Sequence, residues 1–184
     1  DNDLYLKAAT SLHKLQPTSQ SAYFLYRLNA SRGNVDEALS YISEALAYTD
    51  LETETAADYN YEAAAFCVKN GRNPQAITFA EKAKELSSSY AGKVYFLIGT
   101  IWGATSCGGD EISRRAPYWV AVDYMERAKA ADASLAEDCN RMISQYRVYY
   151  PQTAEAFMYN LTDGQSYTVS CGGMRATTTV RTQK

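Results

Sequence analysis

Apolar residues recur at three- and four-residue intervals along most of the first 150 positions, and short stretches with glycine, asparagine or proline interrupt them. That periodicity predicts amphipathic helices joined by turns. Three segments share one arrangement: residues 37–45 (EALSYISEA), 75–83 (QAITFAEKA) and 120–128 (VAVDYMERA). Each has an alanine (Ala38, Ala76, Ala121) and a larger aliphatic beside it. An aromatic follows three residues on (Tyr41, Phe79, Tyr124), and a second alanine seven residues on (Ala45, Ala83, Ala128). Small residues two helical turns apart share one face and let a neighbouring helix come close. They predict seams between packed helices.

Upstream of each segment lies a second predicted helix, at residues 22–31, 57–70 and 93–104. The turns between them include Arg32-Gly33-Asn34 and Asn70-Gly71-Arg72-Asn73-Pro74. Glycine there can take the left-handed conformation that ends a helix. Asn34 and Asn73 are the expected N-caps, and Pro74 suits a first turn. The result is an array of helical hairpins spaced by 38 and 45 residues. A hairpin of this kind must stack on the next to bury its apolar face. Residues 134–149 (SLAEDCNRMISQYRVY) form one more amphipathic helix, suited to cap the last apolar face.

After Pro151 the pattern changes. Residues 154–161 predict a short helix, and Thr162-Asp163-Gly164 a turn. Residues 166–171 (SYTVSC) and 177–182 (TTTVRT) read as strands of a hairpin with a five-residue loop, 172–176. A lone hairpin is only marginally stable in water, so this one must rest on the helices, pair with another chain or stay mobile.

The repeated alanines and paired helices resemble the tetratricopeptide repeat (TPR), a two-helix unit of 34 residues. The resemblance implies an all-α fold, a TPR-like α-solenoid of antiparallel helix pairs with a short C-terminal β-hairpin. Three repeats would span 19–133 (about 19–52, 55–89 and 92–133), with an insertion at 106–116. Residues 1–17, ending at Pro17, would be the second helix of a preceding repeat whose partner helix is missing. Residues 134–150 would be the capping helix and 151–184 the tail. Leu25, Ala63/Ala64 and Ile98/Gly99 fall where the first helices of the family carry Leu and Gly/Ala. The family's first-helix Trp is absent, the third repeat is about ten residues longer, and no later repeat ends in proline. The tail is similar to the C-terminal ends of repeat proteins from gut-type Bacteroidetes bacteria, which implies an exported protein of the periplasm or cell envelope.

The family resemblance also implies a concave groove lined by first helices that takes a protein or peptide. Registered on the alanines, that face carries Tyr23 and Arg27, Tyr61 and Lys69, and Phe96 and Thr100, followed by Asn140 of the capping helix. Three aromatics on successive repeats make a stacking ladder, and Arg27 and Lys69 are available for carboxylates. Packing between repeats is the competing role for the same aromatics. The family's two-carboxylate clamp is not reproduced, which disfavours chaperone-tail binding.

Composition narrows the classes. Eighteen Lys+Arg against 21 Asp+Glu, a net charge of −3, give no basic field for nucleic acid. An apolar fraction of 46% with four prolines marks a folding chain rather than a disordered one. The most apolar run, 94–104, is about half the length of a membrane span. The chain opens Asp-Asn-Asp, which reads as a processed protein or a piece of a longer one. Cys67, Cys107, Cys139 and Cys171 are 40, 32 and 32 residues apart, spacings that offer no zinc site. Free, mostly packed thiols are expected, with a single bridge such as Cys107–Cys171 left open.

No phosphate loop, nucleophile elbow or zinc-protease motif is present, and the sole histidine, His13, reads as an exposed helix-face residue. The carboxylates Asp36/Glu37 and Asp110/Glu111 sit at predicted helix starts, where negative charge is favourable. Asn29-Ala30-Ser31 and Asn160-Leu161-Thr162 match glycosylation sequons. The insertion 106–116 (SCGGDEISRRA) brings Arg114 and Arg115, which could hold an anion or acidic peptide. The reading is thus a non-enzymatic, cofactor-free scaffold for a protein or peptide, without nucleic acid and able to form homo-oligomers. One alternative is a self-assembling envelope component that pairs through the C-terminal hairpin. A third class is an enzyme using the third-repeat loop.

Overall fold

The structure, a computed structural model, describes residues 2–184. Asp1, the first residue of the expected partial helix, lies outside them. Nine α-helices are present among the described residues: α1 Asn2–Leu15, α2 Ser19–Ser31, α3 Val35–Ala47, α4 Thr53–Lys69, α5 Asn73–Leu86, α6 Ala91–Gly103, α7 Glu111–Ala131, α8 Ala136–Arg147 and α9 Thr153–Met158. Short 3-10 turns at Ser88–Tyr90 and Ala133–Leu135 lead into α6 and α8. Two antiparallel strands, β1 Ser166–Cys171 and β2 Met174–Thr179, complete the chain.

Helices pack in consecutive pairs. The most extensive contacts join α2 to α3, α4 to α5 and α6 to α7, and smaller ones link each pair to the next; α4 also touches α6. The recurring alanines explain the pairing. Ala38, Ala45, Ala76, Ala83, Ala121 and Ala128 are all fully buried. At the α6–α7 seam a methyl on Gly99 would come within 3.3 Å of the Ala121 carbonyl oxygen and 2.9 Å of Met125. Gly103 meets the Tyr146 ring of α8 as closely, so α6 is held near two partners through its glycines.

The turns use the expected glycines, with Gly33 and Gly71 at φ of +76° and +71°. Asn34 does precede α3, but its amide donates to Asn29 Oδ1 (3.1 Å) instead of capping the helix. Arg72 takes the N-cap position of α5, with Asn73 and Pro74 opening the helix. The residues read as a third-repeat insertion mostly lengthen α7. Asp110 caps it by accepting from the Ser113 N–H (2.8 Å), and Ile112 and Ala116 are buried in its added turns. Pro117 sits inside this helix.

Three expectations change. His13 is buried, not exposed: Nδ1 lies 2.5 Å from Ser21 Oγ and Nε2 2.8 Å from Glu44 Oε1, tying α1 to α2 and α3. The second strand begins at Met174, and the hairpin turn is Gly172-Gly173 alone, both at positive φ (60° and 76°). Two left-handed residues match the right-handed strand twist, which a five-residue loop does not require. Finally, Cys107 and Cys171 form a disulfide across 64 residues, leaving only Cys67 and Cys139 as free, buried thiols.

The hairpin rests on α7. Trp119, fully buried, meets Tyr167 edge-on at 5.4 Å, and Asp123 accepts from Thr178 Oγ1 (2.5 Å) and pairs with Arg181. Beyond β2 the chain runs back to the loop after α8, where Gln183 N–H donates to the Pro151 carbonyl (2.9 Å). On α1, Leu4, Tyr5, Leu12 and Leu15 are exposed, and Tyr5 meets Phe24 of α2 edge-on at 5.9 Å.

Candidate functional site

The side chains expected on one face divide between two sides of α4. Tyr23 of α2 stacks flat on Tyr59 (centroids 4.0 Å, planes 6° apart), and its hydroxyl donates to Glu62 Oε2 (2.6 Å). Tyr26 meets Phe66 edge-on at 5.7 Å, so α2 and α4 are joined by two aromatic pairs. Such pairs contribute about 0.5–1.5 kcal/mol each beyond area burial. Tyr61, two residues from Tyr59 and therefore about 200° around the helix, turns instead to Tyr90 (5.2 Å). Phe96 is half-buried against the core, and Thr100 donates to the Leu97 carbonyl of its own helix (2.7 Å). Among the described residues no ring contact links Tyr23, Tyr61 and Phe96. The three do not form one continuous ladder.

What the α2–α4 face presents is a stacked tyrosine pair edged by charge. Arg27 is exposed one turn from Tyr23, and Lys69 is exposed in the last turn of α4; neither has an ion-pair partner among the described residues. Burial is the main cause that lifts the Tyr23 phenol to about 12, with Glu62 adding to it and Arg27 opposing. Tyr59 is raised for the same reasons, burial first and Glu62 second. These phenols are neutral donors across physiological pH. Sequence reasoning missed Tyr59 and Glu62, although their three-residue spacing already puts both on one side of α4.

Asn140 is exposed on α8 and accepts from Lys129 Nζ (3.0 Å). Arg114 and Arg115 both pair with Glu111, at 3.0 and 2.6 Å, and Arg115 also reaches Glu155 (3.5 Å). Hydrogen bonding to Arg115 holds the Glu111 carboxyl below the usual range. The two arginines thus share a carboxylate already in place, and the site offers an anion less charge than the bare sequence suggests.

A scan against protein-family models matched none, and a search of curated proteins found no relative. Among the described residues no three His, Cys, Asp or Glu side chains cluster to hold a metal, and no helix is long and apolar enough to cross a membrane. His13, Ser21 and Glu44 lie in a line, but Ser21 Oγ is already committed to the Thr18 capping box, accepting from the Thr18 N–H (3.0 Å). That role is structural. Of the two sequons, Asn29 is buried with its amide donating to the Leu25 carbonyl (2.8 Å), whereas Asn160 is exposed.

Proposed function

We propose that the chain is a non-enzymatic, tetratricopeptide-like scaffold that holds a protein or peptide against its first helices, α2, α4 and α6. The observation that carries this reading is the succession of helix pairs seamed by buried alanines, with α4 touching α6 so that first helices adjoin. Stacked repeats of that kind build extended surfaces rather than closed pockets, and their use is recognition. The Tyr23–Tyr59 pair supplies a rigid aromatic platform, and Arg27 and Lys69 supply charge for acidic residues of the bound segment.

The tail supports the scaffold over a strand-adding assembly role, since its hairpin is tied to the same chain by the Cys107–Cys171 bridge to the loop before α7 and by the Thr178–Asp123 hydrogen bond to α7 itself. A structural disulfide also supports an oxidising compartment for the folded protein, in keeping with the resemblance of its tail to envelope proteins.

The test is capture of acidic peptides from a displayed library by the full chain, followed by the same selection with Arg27→Glu/Lys69→Glu and with Tyr23→Ala/Tyr59→Ala. Enrichment of acidic sequences that both variants abolish, with helical content retained, supports the reading. Identical enrichment by the variants removes it.

A further inference from the structure

A cleft of about 360 Å³ lies where the end of α6 meets α7 and α8, on different elements from the tyrosine platform of α2 and α4. Gly103, Tyr118, Gln145, Tyr146, Val148 and Tyr149 line it. That volume suits a small ligand. We propose that it binds a neutral carbohydrate, with one sugar ring flat on Tyr149 and the sugar hydroxyls bonded to Gln145 and Tyr146.

The stacking surface is already built. Tyr118 and Tyr149 lie flat on one another (centroids 4.3 Å, planes 9° apart), and Tyr118 packs at a tilt on Tyr146 (5.9 Å). Tyr149 gives one ring face to Tyr118 and is still 50% exposed, so the ring is held from behind and its other face is left to a ligand. A pyranose presents a face of C–H groups that matches such a ring. A ring held in advance loses little freedom on binding.

Tyr146 supplies the polar end. It is only 6% exposed, and its ring is admitted by Gly103, where any side chain would collide with the Tyr146 Cζ and Oη. No hydrogen bond engages this hydroxyl among the described residues, where the only side-chain nitrogen or oxygen shut away from solvent without a partner belongs to Tyr150. The Tyr146 hydroxyl is therefore reachable, and the cleft that it lines is the way in. A nearly buried hydroxyl with nothing to bond calls for an explanation. Gln145, exposed on the same cleft, offers both a donor and an acceptor.

Charge selects the ligand class. No charged side chain lines the cleft. Arg114 and Arg141, one turn ahead of Tyr118 and Gln145, pair with Glu111 (3.0 Å) and Asp138 (2.7 Å), and Arg147 lines a different cleft. Burial raises the Tyr118 and Tyr146 phenols above their ordinary value, so both stay neutral. An anion finds no counter-charge here. A quaternary ammonium needs rings set around it as walls, whereas Tyr118 and Tyr149 present a single flat face. A ring with one apolar side and uncharged hydroxyls matches what remains.

The experiment is a titration of the 15N-labelled full chain, followed by amide chemical shifts. The probes are cellobiose, maltose and lactose, with glycerol and tetramethylammonium as controls. At least one disaccharide is expected to saturate and to move the amides of Gly103, Gln145 and Tyr149. Tyr149→Ala should weaken it by about tenfold, while Tyr149→Phe, which keeps the ring, should stay within about threefold. Tyr146→Phe should weaken it several-fold without lowering Tm, because the hydroxyl removed bonds to no other group of the free protein. A residue that only packs gives the reverse, a lower Tm with affinity unchanged. The proposal is overturned if no disaccharide moves these amides, if glycerol moves them as well as the disaccharides do, if tetramethylammonium saturates at lower concentration than any disaccharide, or if Tyr149→Ala or Tyr146→Phe leaves affinity unchanged.

Discussion

Trp119 and Arg181 hold each other at two points across 62 residues. The indole N–H of Trp119 donates to the Arg181 carbonyl at 2.9 Å, and Arg181 Nη1 donates to the Trp119 carbonyl at 2.9 Å. The same guanidinium pairs with Asp123, only 19% exposed at its side chain. Replacing Arg181 with Ala removes the counter-charge of that carboxylate, which keeps only the Thr178 hydroxyl, and the second donor to the Trp119 carbonyl. The expected loss is about 2–3 kcal/mol, read as a lower urea midpoint, with the fluorescence of Trp119 changing before that of Trp102.

The Cys107–Cys171 bridge closes a long loop, and removing such a constraint costs about 2–4 kcal/mol. Cys107→Ser/Cys171→Ser should lose that much unfolding free energy, read as a lower denaturant midpoint. The wild-type chain in reductant should behave alike. Because Asp123, Arg181 and Trp119 still hold the tail, circular dichroism should show the helices intact in both.

Ala121 is fully buried in α7, and its carbonyl oxygen would lie 3.3 Å from a methyl placed on Gly99 of α6. A larger side chain at Ala121 has to displace packed neighbours. Ala121→Leu should destabilise by about 1–3 kcal/mol through overpacking, whereas Ala130→Leu, exposed on the same helix, should be within about 0.5 kcal/mol of wild type. Equal effects at the two positions would mean that the alanine seam is not where the pair is held.

The alkaline limit follows from phenols and a thiol that hold their protons more tightly when folded. Burial raises Tyr23 and Tyr90 to about 12 from the ordinary 10.0, and Cys67 to about 11 from 9.0. Their contribution is whole below pH 9, the lowest of the unfolded values, and falls as pH climbs through the folded ones. Thermal stability should stay level to about pH 9 and decline steeply by pH 12. Exposed tyrosines such as Tyr5 and Tyr149 ionise with the fold intact, and the remaining phenolate absorbance, from the buried phenols, should rise together with loss of helicity.

The helix pairs were legible because their signal is local: alanines seven residues apart report a helix face without knowledge of any partner. Glycines at helix ends were legible for the same reason. Long-range pairings were not. His13 gives no sign in its neighbours that Glu44, 31 residues on, will bury it. The sequence cannot choose between Cys107 joined to Cys171 and four free thiols, since the choice depends on where the hairpin docks. The platform was half visible: Tyr23 was named, but its partner Tyr59 was passed over in favour of Tyr61, because a two-residue step exchanges one side of a helix for the other.

The interlocking of Trp119 with Arg181 makes the final residues part of the third helix pair. Clipping the chain just before Arg181, or dragging it with a bulky fusion, would strip the indole of its acceptor and be felt at the middle of a 21-residue helix. A chain on the ribosome therefore cannot complete its third pair until Arg181, 62 residues beyond Trp119, has been translated.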